Sequence, residues 1–282
     1  MLSRGDHLII GQPAHAWVSG QLARAWGNEA FPAPEPREPV CLAAEQHDVG
    51  WADADLAPLL GDDGRPRSFV EYPREQHVAI WRDAPRRLLA QSRYAALLVS
   101  LHGTSLYERI DPEGYEPDVA AAIRAYVADQ RALQAELAAD LDPAQVDRNR
   151  RLILAWDRLS LALCHGNATT LEAVPAADGA ATIRVEPVRD GDAAAPGGGD
   201  AAASASGPSA RVERVLVRDD RAVPPGAATT AFTLAPWPFA AARVVVGCEA
   251  RALPGSFADG PALHAALAAA PWVPLRFLLR PG

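Results

Sequence analysis

The sequence predicts a mainly α chain, α+β overall: a helical bundle over residues 1–170 and a small C-terminal, mostly antiparallel β subdomain over 171–282. Three observations predict it. Apolar residues recur at helical spacing through the first 166 residues, and short β-rich runs follow from about residue 181. A stretch almost wholly of Gly, Ala, Ser, Pro and Asp, residues 191–210, separates the first two of those runs. With 282 residues, 49% of them hydrophobic, the chain can fill one large core, or one conventional domain and a smaller one.

Each element has a local cause. Pro13 can open a first helix and Gly27 can close it, and between them His15 shares a face with Val18, Leu22 and Trp26. After a Pro-rich loop, Val40, Ala43, Ala44 and His47 share a face of a second helix, which Gly50 terminates. The 62–66 segment, Asp-Asp-Gly-Arg-Pro, reads as a turn. A short helix aligns His77, Ile80 and Trp81 before Pro85 interrupts it. Residues 93–107 form another, with Ala95, Leu98 and His102 on one side. Residues 118–140 give an Ala-rich amphipathic helix, and 143–165 the next, ending at Gly166. Strands are expected at 183–188, 212–217, 229–234, 244–248 and 273–279, with a brief helix at 261–270. The 191–210 stretch has too little apolar content to order itself and is expected to be a disordered loop.

Composition excludes several classes. A net charge of −8 argues against a nucleic-acid surface, which is ordinarily basic. Every cationic side chain is Arg, a bias that fits a GC-rich genome. Three scattered cysteines, Cys41, Cys164 and Cys248, give neither a disulfide framework nor a paired-cysteine zinc site. No signal-like start and no apolar run of membrane-spanning length is present, so a soluble, cytoplasmic protein is expected, with a small-molecule substrate.

The chemistry concentrates in six residues: His15, His47, Asp48, His77, His102 and Asp157. Each lies beside apolar residues in a helical stretch, where an imidazole or carboxylate costs several kcal/mol unless something satisfies it. A shared cation cluster satisfies all six, so they are candidate metal ligands. His47 and Asp48, adjacent at a helix end, are also the candidate catalytic pair. Asp157 stands inside the apolar run of residues 152–163, so an ionised carboxylate there needs a cation. His7, His165 and His264 lack such settings. A thiolate-free His/Asp shell suits Fe, Mn, Zn, Ni or Co, and six ligands suffice for two ions.

The order His15, His47-Asp48, Asp157 resembles the HD superfamily of metal-dependent phosphohydrolases. The added His77 and His102 resemble its two-metal branches, which include cyclic-nucleotide and dinucleotide phosphodiesterases and the di-iron oxygenases related to myo-inositol oxygenase. That resemblance covers roughly residues 10–166. It implies an HD-type bundle in which His15, His47, Asp48 and Asp157 hold one metal. His77 and His102 would complete a second site through a bridging Asp48. The lysine that commonly follows the His-Asp pair in HD enzymes is absent, and Trp51 stands close by. Trp51, Arg74 and Arg82 are therefore candidate substrate contacts, with Arg86 and Arg87 as further cations. The whole chain also resembles a bacterial family known as a conserved domain of unknown function. Its characteristic segments here are EQHDVGW (45–51), LVSLHG (98–103), AWDRLSL (155–161) and PWPF (236–239).

The function expected is a dinuclear-metal HD-type hydrolase of a small phosphorylated or anionic molecule, with a metal-bound hydroxide as nucleophile. The alternatives are a di-iron oxygenase of a small organic substrate and a non-catalytic metal- or ligand-binding protein with PWPF as its partner hook.

Overall fold

Prolines and capping side chains start most of the helices. The computed structural model describes residues 1–5, 7–108, 110–188 and 229–282. Helix α1 (Gln12–Ala25) carries Pro13 in its first turn. Helix α2 (Arg37–Gln46) ends at His47, and the short α3 (Ala52–Leu56) follows one 3-10 turn later. Helix α4 (Arg74–Asp83) stops just before Pro85. Ser92 caps α5 (Arg93–Ser105) by accepting from the Ala95 N–H. Helix α6 (Pro117–Ala138) leads to α7 (Pro143–His165), which Asp142 caps by accepting from the Ala144 N–H. Gly166 ends α7 with a φ of 79°, a left-handed conformation that a residue with a Cβ resists.

The strands are β1 (Leu2–Arg4), β2 (Leu8–Ile10), β3 (Thr169–Ala176), β4 (Gly179–Pro187), β5 (Thr229–Ala235), β6 (Val244–Ala252) and β7 (Trp272–Pro281). Helix α8 (Gly260–Ala269) links the last two. They form one seven-stranded sheet in the order β1-β2-β6-β7-β5-β4-β3. Neighbours are antiparallel except β5 and β7, which run parallel with Thr229 opposite Arg276.

This architecture corrects the expected HD-type helical bundle with a small C-terminal β subdomain. The chain is α+β, with its helices on a seven-stranded sheet curled into a half-barrel. Strands β1 and β2 come from the segment expected to be helical. At three residues each they are too short to show a period of two. Strand β3 was not expected either: it contains Pro175, and a bulge between Leu171 and Val174 breaks its alternation. Residues 191–210 and 212–217, expected as a loop and a strand, lie outside the described residues.

The largest hydrophobic cluster runs from Val18 and Leu22 of α1 through Leu159 of α7 to Ile183, Phe232 and Phe277 of the sheet. Gln21 fastens α1 to β6, donating to the Gly247 carbonyl at 2.8 Å and accepting from its N–H at 3.1 Å. The PWPF turn packs inward, with Phe239 buried and edge-on to Trp26 at 5.5 Å. All three cysteines are buried and free. Two glycines set the approach of the helices that matter next. A Cβ at Gly20 would lie 2.6 Å from Glu45 Cβ, so α1 and α2 meet backbone to backbone. A Cβ at Gly50 would lie 2.3 Å from the Ile80 carbonyl, so the segment after Asp48 sits directly on α4.

Candidate metal centre

The close α1–α2 contact brings His15 against the end of α2, where His47 and Asp48 leave the helix. Helix α7 supplies Asp157 from the second side and α5 supplies His102. His15, His47, Asp48 and His102 are all buried, at 4% exposure or less. Donor atoms of His15, His47 and Asp48 lie within 4.8 Å of one another, and so do those of His47, His102 and Asp157.

The imidazoles are oriented from behind. His47 Nδ1–H donates to the Ala44 carbonyl at 2.8 Å, which turns Nε2 toward the carboxylates. That Nε2 stands 3.3 Å from Asp157 Oδ1 and 3.7 Å from Asp48 Oδ2, without hydrogen-bond alignment to either. His15 Nδ1 meets Ser160 Oγ at 2.9 Å and its Nε2 meets Asp48 Oδ2 at 2.6 Å. Ser160 in turn donates to the Asp157 carbonyl and accepts from Ser19. His102 Nδ1 is buried without a hydrogen-bond partner among the described residues.

The electrostatics follow from burial and mutual charge. Burial alone would lower the His47 pKa, but Asp48 and Asp157 together raise it to about 9. Burial opposes the Asp48 charge, yet His47 and His15 hold its carboxyl below the ordinary range. Asp157 is likewise lowered against its burial, chiefly by the charged His47 imidazole beside it. His102 is depressed to about 4 by burial and by the His47 charge. Among the described residues no arginine pairs with Asp157.

These donors fit a transition-metal ion. The two orphaned imidazole nitrogens need a partner. Donors bonded to one ion at about 2.0–2.2 Å stand roughly 3–4 Å apart, as His47 Nε2 does from both carboxylates. The two triplets share His47, whereas the resemblance implied Asp48 as the bridge. An imidazole nitrogen offers one lone pair, so His47 serves one ion.

His77 stands outside both triplets. Its Nδ1 is 2.5 Å from the Tyr107 hydroxyl, and the Trp81 indole N–H donates to its Nε2 at 3.4 Å. Burial and the nearby Arg74 lower its pKa to about 4, which keeps it neutral. It lines, with His15, Asp48, His102 and Asp157, a cavity of about 270 Å³. Trp51 and Arg74 line that cavity too. Arg82, exposed on α4, is not among the residues that line it. Arg87, also exposed, pairs with Asp53. His165 and His264 bond to the Ser3 and Pro58 carbonyls, away from the cluster.

Sequence reasoning did not single out Ser160, Tyr107 or Gln12. Ser160 had a signal, since it lies three residues after Asp157 on the same apolar helix. Tyr107, which meets His77, and Gln12, which lines the cavity, had none, because both placements depend on the meeting of separate segments.

A family model described as "Protein of unknown function (DUF3891)" matches residues 2–255. The chain belongs to this family. The match agrees with the whole-chain resemblance to a family of unknown function, and within the DUF3891 segment lie all the cavity residues. No curated protein and no solved structure matches the chain. Among the described residues no helix is long and apolar enough to cross a membrane.

Proposed function

We propose that the chain is a metal-dependent hydrolase of a small phosphorylated or otherwise anionic molecule, its ion held by His15, His47, Asp48, His102 and Asp157. The observation that carries this reading is the convergence of His15, His47 and Asp48, and of His47, His102 and Asp157, in two triplets whose donor atoms lie within 4.8 Å of one another. The ligand order of the HD phosphohydrolases supports the same chemistry. When bound, the ion would supply Lewis acidity and an acidified water as nucleophile.

The protein's own groups do the rest. Ala44 and Ser160 hold two imidazoles in fixed tautomers and orientations. Trp51 and Trp81 wall the cavity and limit water around the reacting group. Arg74 offers a guanidinium to an anionic substituent. A second ion, as a dinuclear hydrolase requires, needs His77 freed from Tyr107 and Trp81.

The aromatic and aliphatic wall also favours a second reading, an iron oxygenase of a small organic substrate. Metal analysis of protein purified without chelator separates the two. Zinc, manganese or nickel at one or two per chain, with turnover of a generic phosphodiester, supports the hydrolase. Iron with a visible absorbance that changes on exposure to air supports the oxygenase. Substoichiometric metal, with no loss of melting temperature on chelation, sinks both and favours a non-catalytic binding role.

A further inference from the structure

Trp51, Phe69, Val70, Trp81 and Leu106 share the cavity lining with the imidazoles and carboxylates, and the Trp81 ring lies 5.5 Å from that of His102. Val70 is 67% exposed and Leu106 39%, so apolar side chains also frame the mouth. Into this wall one guanidinium projects. Arg74 is half-buried, and its Cζ lies 5.6 Å from the Tyr115 ring centroid and 6.0 Å from that of Tyr107. Stacking on two rings restricts its rotamers. Among the described residues no carboxylate pairs with it, and no other arginine lines the cavity. The Trp51 indole N–H is buried and also lacks an acceptor.

We propose that this site takes a compact organic anion with one acidic group and a flat apolar body. The acidic group sits on Arg74 and the body lies against Trp51, Phe69 and Trp81. One guanidinium matches one oxyanion group bidentately. A volume of about 270 Å³, just below the range of about 300–1,000 Å³ usual for drug-sized ligands, suits a compact molecule. The inference rests on the metal-dependent reading for the reacting end of the molecule and extends it to the binding end.

Calorimetric titration of the full chain, as purified and after metal removal, tests it with three probes. Phenylphosphonate carries both features, inorganic phosphate only the anion, and benzyl alcohol only the apolar body. Phenylphosphonate is expected to bind at least about tenfold tighter than either of the others. Arg74→Gln is expected to weaken it about tenfold, the loss of a charge-assisted hydrogen bond, while Arg93→Gln, in an exposed pair with Glu136, leaves it unchanged. Equal affinity for phosphate and phenylphosphonate overturns the proposal, as does Arg74→Gln binding like wild type. If Arg74-dependent binding persists in a protein that never holds metal, the hydrolase reading fails and this one stands. If metal loads stoichiometrically but Arg74 is irrelevant, the reverse holds.

Discussion

Replacing Asp48 by Asn tests the metal centre with the least steric change. Asp48 is 4% exposed, its Oδ2 is 2.6 Å from His15 Nε2, and the same oxygen is 3.7 Å from His47 Nε2. Asn keeps the shape and one acceptor but removes the charge. A unit charge pair about 4 Å apart is worth about 4 kcal/mol at an effective dielectric near 20, and a carboxylate bonded to a divalent ion lies closer than that, so the loss of more than two decades in metal affinity is expected. Thermal unfolding reads this directly. Metal at about 100 times Kd stabilises the wild type by about 2.7 kcal/mol. At about 2–4 °C per kcal/mol for a chain of this size class, that is a rise of about 5–10 °C. Asp48→Asn at the same metal concentration retains at most about 0.4 kcal/mol, a rise of about 1 °C. Elemental analysis after desalting should agree. A variant that keeps its metal and its full thermal shift would refute the assignment of this cluster.

Other outcomes follow from the same geometry. His102→Ala should lower metal occupancy at least about tenfold, whereas His77→Gln should leave it within about twofold, both by elemental analysis; metal loss in the His77 variant would place that residue on an ion. Because His47 holds a proton up to about 9 in the ion-free protein, metal must displace it, and affinity should rise about tenfold per pH unit from pH 6 toward 9. In the ion-free protein the same pairing acts in the opposite sense. The folded pKa of about 9 exceeds the ordinary 6.5, so this stabilisation is complete below 6.5 and lost as pH rises through 9, visible in denaturant midpoints. Gly50→Ala should destabilise by about 1–3 kcal/mol in urea unfolding, because its Cβ meets the Ile80 carbonyl.

The helices were legible because their signals are local. Pro13, Pro85 and Gly166 punctuate apolar periods of 3.6, and each does so in the structure. The sheet was not, since pairing of residues 8 and 9 with 251 and 252 leaves no trace in either segment's own pattern. The candidate centre was partly legible. Polar residues in apolar helical runs marked His15, His47, Asp48, His102 and Asp157, and the fold brings these five together. The same logic marked His77, but burial does not reveal a partner, and Tyr107 comes from another helix end. Arg74 and Arg82 share one helix and one chemistry; only the packing of α4 decides which faces the cavity.

Strand β7 lies between β6 and β5, with six residues bonded to one neighbour in parallel and eight to the other in antiparallel register. Ribosomal synthesis makes it after both of those neighbours and after every donor of the His/Asp cluster. Until residues 272–281 emerge, β5 and β6 present raw edges to any other polypeptide nearby. Vectorial folding of these strands therefore requires β7 to insert between two neighbours made before it, and chaperone dependence should concentrate at that step.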